Sequence, residues 1–235
     1  MSKKVFVLIS AVLILAILVI GFSLQLNRRP VMTTVVHGER IELPEPVYDS
    51  SMSIEEALLT RRSLRAYTEE GLSLTEASQL LWAAQGKTHP SGYRTAPSAG
   101  ALYPLEVYLV VGRLEGLSAG VYQYLPAEHA LVQTLEGDIR ASLANASLGQ
   151  SAVEDAPVSL VLTAVFERTT QKYGQRGERY VYMETGSAAQ NVYLQAESLG
   201  LGTVFIGAFQ DERVRDLIGI PENEVPLCIM PVGRY

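Results

Sequence analysis

Cysteine is nearly absent from this chain. Cys228 stands alone among 235 residues, so no intrachain disulfide can form. Histidine is scarce as well. His37, His89 and His129 lie far apart without ligand spacing, and no metal site is expected from them. The chain carries a net charge of −6 and has no basic run, which leaves a nucleic-acid partner without electrostatic footing. No phosphate-binding P-loop, His-Glu-x-x-His or Gly-x-Ser-x-Gly occurs. Gly200-Leu201-Gly202 follows a helical pattern and precedes a strand pattern, the reverse of a dinucleotide fingerprint. A serine hydrolase built on Ser98 lacks a histidine partner.

Charge is missing from Val5 to Leu26. As a helix this run spans about 33 Å, enough to cross a bilayer core. It is too long for a usual signal-peptide apolar region, and no small-x-small cleavage site follows it. The expectation is an uncleaved, single-pass anchor over residues 1–26 in the cell membrane. The short basic N-terminus, with Lys3 and Lys4, favours N-terminus inside and the domain outside. Residues 27–50 contain Pro30, Pro44 and Pro46 with little apolar periodicity and read as a linker. The soluble domain is expected over residues 51–235, long enough for one well-buried core.

Within that domain, Ser53 with Glu56 and Ser73 with Glu76 have capping-box spacing. They predict helices from Ile54 to about Thr60 and from Leu74 to Gly86. Leu105–Val111 alternates as a strand, and 121–125 with 130–135 reads as a hairpin. Asp138 is placed to cap a short helix to Ala146. Apolar strands are predicted at 157–166, 202–209 and within 225–232. Helices are predicted at 178–199 and 212–218. This order points to α/β or α+β layers around a single sheet.

Three short motifs stand out. "TRRSLRAY" places Arg61 and Arg65 four apart, on one face if the helix continues, with Ser63 between them. Guanidinium forks plus a hydroxyl suit a phosphate dianion. Arg62 adds a further charge. Pro97-Ser98-Ala99-Gly100 precedes a strand and lets backbone approach a flat ligand. "FIGAF" places Gly207 and Ala208 after an apolar run, and Arg234 lies next to the last residue.

Together these motifs resemble the nitroreductase family of FMN flavoproteins over about residues 53–235. The resemblance implies an α+β fold with a central mixed sheet flanked by helices, bound FMN, and a homodimer with the flavin at the interface. It places Arg61, Arg62, Ser63 and Arg65 at the phosphate and pyrimidine end, and Arg234 at a further phosphate contact. Pro97, Ser98, Ala99 and Gly100 would lie against the ring or ribityl chain, and Gly207 and Ala208 near flavin N5. Residues 169–202 are similar to the SagB-type dehydrogenase branch, which oxidises azolines in peptides. That likeness implies catalytic roles for Lys172 and Tyr173. The substrate would be a small molecule or a peptide. Two other readings fit the same motifs: a nicotinamide-dependent nitro or quinone reductase, and a flavin-binding module without chemistry.

Overall fold

The computed structural model describes Gly38 and residues 40–235. The predicted anchor over residues 1–26 lies outside the described residues. Among the described residues, no helix is long and apolar enough to cross a membrane.

At the centre lies a seven-stranded sheet. Its strands are β1 (Arg40–Glu42), β2 (Leu105–Val111), β3 (Gly120–Leu125), β4 (Ala130–Glu136), β5 (Val158–Ala164), β6 (Gly202–Thr203) and β7 (Val225–Gly233). Their order is β1-β4-β3-β2-β5-β7-β6. All pairings between these strands are antiparallel. The sheet is mixed only through single parallel bridges among the described residues, Ser63 with Thr203 and Leu72 with Leu114.

Alternation along β2 builds two cores. Leu105, Val107, Leu109 and Val111 face one way, under α2 (Leu74–Gln85) and the long α6 (Arg176–Ser198). Tyr108 and Val110 face the other way, under α3 (Arg140–Ala146), α4 (Ser151–Asp155) and α7 (Asp211–Ile218). α1 (Ile54–Thr60) and α2 begin as their sequences predict. The Ser53 and Ser73 side chains accept from the Glu56 and Glu76 N–H groups, and Ser73–Glu76 closes a full capping box.

Several expectations need correction. The stretch read as a linker enters the fold: β1 pairs with β4, and Val47 exchanges hydrogen bonds with the Gln79 side chain. Three residues are too few for periodicity to show. The strand expected over 202–209 shrinks to Gly202–Thr203 plus one bridge from Ile206 to Ile229. The Phe205 N–H, which would have continued a ladder, donates to the Tyr193 hydroxyl at 2.7 Å. Lys172 and Tyr173 fall between the elements predicted at 157–166 and 178–199. They close a helix, α5 (Glu167–Tyr173), whose polar sequence gives no apolar stripe.

Candidate active site

α1 stops at Thr60, so Arg61 and Arg65 do not share a helical face. Arg61 is the C-cap, and the chain leaves it extended to make the Ser63–Thr203 bridge. Arg62 turns back on the helix end. Its guanidinium donates to the carbonyls of Leu59, Thr60 and Arg61 at 2.9–3.1 Å, satisfying the orphan acceptors of the last turn. Arg61 lies over the Tyr193 ring, 5.1 Å from its centroid, and Ser63 Oγ is 2.9 Å from the Tyr193 hydroxyl. Since that hydroxyl also receives the Phe205 N–H, Tyr193 ties "RRS" to "FIGAF". Sequence reading missed this residue.

Gly207 and Ala208 are exposed beside this cluster, and neither N–H meets an acceptor among the described residues. The Ala208 carbonyl accepts from Gln150 Nε2. Arg65 is exposed and makes no ion pair among the described residues. Two unpaired guanidinium groups, a hydroxyl and two free N–H donors fit an anionic, flat cofactor such as FMN. Arg234 is committed elsewhere. It donates to Glu70 at 2.6 Å and Glu76 at 2.7 Å, so it is not free to join an anion site without giving up a carboxylate.

A second cluster forms around the turn that starts at Pro97, which is itself exposed. Ala99–Ala101 make one 3-10 turn, with Gly100 at φ +65°, Ala101 at +53° and Tyr103 at +45°. Ser98 Oγ accepts the Tyr103 N–H at 2.9 Å, so this side chain braces the turn from within. What the turn presents outward is backbone. Gly100 abuts both predicted catalytic residues, since a Cβ there would lie 2.8 Å from Lys172 Nζ and 2.8 Å from the Tyr173 hydroxyl. The Tyr173 ring stacks edge-on with Tyr180, and Lys172 Nζ sits 5.4 Å from the Tyr173 centroid. The turn and the Lys-Tyr pair, 72 residues apart in sequence (172 − 100), are thus one surface.

Behind the turn lies Glu184, 3% exposed, with Oε1 unpaired among the described residues. Burial pushes its carboxyl up to about 7, opposed by Ser98 and by the Arg94 charge. Arg94 lies 4.7 Å over the Tyr103 ring and donates to Gln85. Burial depresses its own pKa. The signal for Glu184 was available: it falls within the buried stripe of α6 between Val181 and Ala188, where a carboxylate is out of place.

Among the described residues, no hydrogen bond, ion pair or ring contact joins the two clusters. Glu184 and Tyr193 sit nine residues apart on α6, roughly 14 Å along its axis and about 180° around it. One flank of the helix carries the Arg61–Ser63–Phe205 group, the other the turn with Lys172 and Tyr173.

The model for the nitroreductase family matches residues 58–234. This chain belongs to the nitroreductase family. A Methanocaldococcus jannaschii relative that bears a nitroreductase name is 47% identical over 197 residues, covering 84% of this chain and 98% of the relative. The microcin B17-processing protein McbC of Escherichia coli is 34% identical over 169 residues, 69% of this chain and 62% of McbC. A crystal structure titled as a nitroreductase, from Ralstonia eutropha, superposes with a TM-score of 0.73 at 32% identity, covering 83% and 89% of the two chains. Flavin-dependent redox chemistry is the activity of this family, and the nitroreductase sheet and helices are those described above.

Proposed function

We propose that this nitroreductase-family protein is an FMN-dependent, SagB-type dehydrogenase that works as a homodimer. The observation that carries the reading is the contact of Gly100 with both Lys172 and Tyr173. A flavin with no partner side chains needs no amine and phenol held against its turn. A dehydrogenase that removes a proton as well as a hydride does. The similarity to McbC, a peptide-processing protein by name, supports the same branch.

In this reading Arg61, Ser63 and Arg65 hold the phosphate end, and Gly207 and Ala208 offer N–H groups to the ring. Arg62 supports them by closing α1, and Arg234 joins by exchanging one of its carboxylates. When bound, FMN would supply the hydride acceptor at its N5. Lys172 takes the substrate proton, and Tyr173 orients or relays it. Pro97, Ala99 and Gly100 present a backbone surface against the ring, with Ser98 as its internal brace. Because the two clusters lie on opposite flanks of α6, a second copy supplies the missing half of each site. Exposed Ile54, Leu58 and Leu59 on α1, with Tyr182 and Met183 on α6, offer apolar surface for that contact.

A nicotinamide-dependent nitro or quinone reductase uses the same scaffold without a dedicated base. The charge-free run at residues 5–26 supports tethering to the cell membrane, with the domain outside. Outside the cytoplasm, nicotinamide is scarce, and a quinone or another redox partner would take its place. The test is direct. The purified full chain is expected to be yellow, to release FMN on denaturation, and to oxidise an azoline-containing peptide. A colourless chain that does not take up added FMN refutes the reading.

A further inference from the structure

The turn at Ser98–Tyr103 needs holding. Gly100, Ala101 and Tyr103 all occupy positive φ, which non-glycine residues adopt only where their surroundings enforce it. Ser98 and Arg94 brace the turn from its own side. Among the described residues, neither hydrogen-bonds to α5, the helix that carries Lys172 and Tyr173.

Arg168 does. It lies on α5 one turn before Lys172, with its side chain one-third exposed. Its NH1 donates to the Tyr103 carbonyl at 3.1 Å, and its NH2 pairs with Glu106 Oε1 at 2.5 Å. Glu106 sits on β2, and its other oxygen receives Gln123 Nε2 at 3.5 Å. The guanidinium therefore joins three elements: α5, the end of the turn and the central strand. Its two contacts diverge, one to a carbonyl and one to a carboxylate. Only a fork satisfies both at once; a lysine ammonium is a single point. The carbonyl it holds belongs to a positive-φ residue whose N–H is fixed by Ser98, so both ends of the Tyr103 backbone unit are anchored.

We propose that Arg168 is the positioning residue for the Lys172–Tyr173 pair, locking α5 to the turn so that amine and phenol stand at fixed places against Gly100. This rests on the catalytic reading of Lys172, and the test separates the two. Arg168→Met in the full-length, flavin-loaded chain is expected to lower kcat at least about tenfold on an azoline-containing peptide. KM should stay within about threefold, because misplacing a base by an ångström slows chemistry more than binding. Arg168→Lys should not restore the rate. The decisive arm is the double variant. In the Lys172→Ala background, Arg168→Met should change kcat less than twofold, while its effect on melting temperature persists.

Hydrogen exchange gives a readout apart from turnover. Ala101 and Tyr103 amides should exchange faster in Arg168→Met and not in Lys172→Ala. If Arg168→Met does not fold, Glu106→Gln weakens the same fork and should loosen the same amides. An equal loss of kcat in the parent and Lys172→Ala backgrounds overturns the proposal, as does unchanged exchange at Ala101 and Tyr103. If Lys172→Ala itself turns over normally, the catalytic reading fails, and the exchange arm alone decides the role of Arg168.

Discussion

Gly100 stands where its missing side chain would strike both Lys172 Nζ and the Tyr173 hydroxyl, each 2.8 Å from the position of a Cβ. Both atoms are the far ends of side chains, so a methyl group there would displace them without breaking the fold. Gly100→Ala is expected to cost about 1–2 kcal/mol from the positive φ, a modest fall in melting temperature. Turnover should fall by an order of magnitude or more, since the displaced groups are the proposed proton acceptor and its neighbour. A variant that melts lower yet turns over normally would mean that the contact has no part in the chemistry.

Arg61 and Arg62 are adjacent and should behave differently. Arg61→Ala removes a charge-assisted contact worth roughly 1.5–3 kcal/mol, about tenfold or more in FMN affinity. Arg62→Ala should leave FMN affinity within about threefold and destabilise α1, whose carbonyls it caps. Fluorescence titration of flavin into each variant, with a thermal melt, distinguishes the two. Equal losses of affinity would put both arginines at the flavin.

Stability should depend on pH in an unusual direction. Glu184 and Glu224 are both buried, and burial raises each carboxyl from 4.5 to about 7. Between those values the folded chain keeps protons that the unfolded chain releases. The contribution is therefore fully present below about 4.5 and is lost as pH rises through 7. At about 1.4 kcal/mol per unit, each acid accounts for on the order of 3 kcal/mol. Glu76 and Asp138 are shifted the other way and act below their ordinary range. The melting temperature should fall from pH 5 to 7.5, and Glu184→Gln and Glu224→Gln should each flatten that slope. A parent whose melting temperature climbs across this window contradicts the assignment.

A dimer should follow from the divided site. Light scattering of the described domain, residues 38–235, should give twice the chain mass. Leu58→Asp with Leu59→Asp, at the exposed apolar face of α1, should yield monomers that also lose FMN. Monomers that hold FMN stoichiometrically would place the whole site within one chain.

Much of the fold was legible because its signals are local. Capping-box spacing marked the starts of α1 and α2, and alternation marked β2. What escaped depends on distant partners. α5 has no apolar stripe and stands because its end packs against α6 and the turn. The expected strand at 202–209 yields to a tyrosine hydroxyl twelve residues earlier in the chain. The site residues were readable as motifs, but their grouping was not. No spacing rule brings residue 100 to residue 172, keeps Arg62 on its own helix end, or commits Arg234 to Glu70 and Glu76.

If Lys172, held against Gly100, takes the substrate proton, its loss should slow flavin reduction and leave flavin binding intact. The most direct test is a single anaerobic turnover: mix the flavin-loaded chain with an azoline-containing peptide and follow loss of the oxidised-flavin absorbance. The parent should bleach in one phase. Lys172→Ala should retain the same starting spectrum and bleach about 10²–10⁴ times more slowly. Bleaching at the parent rate in Lys172→Ala would contradict the account and leave a flavin reductase that needs no base from this chain.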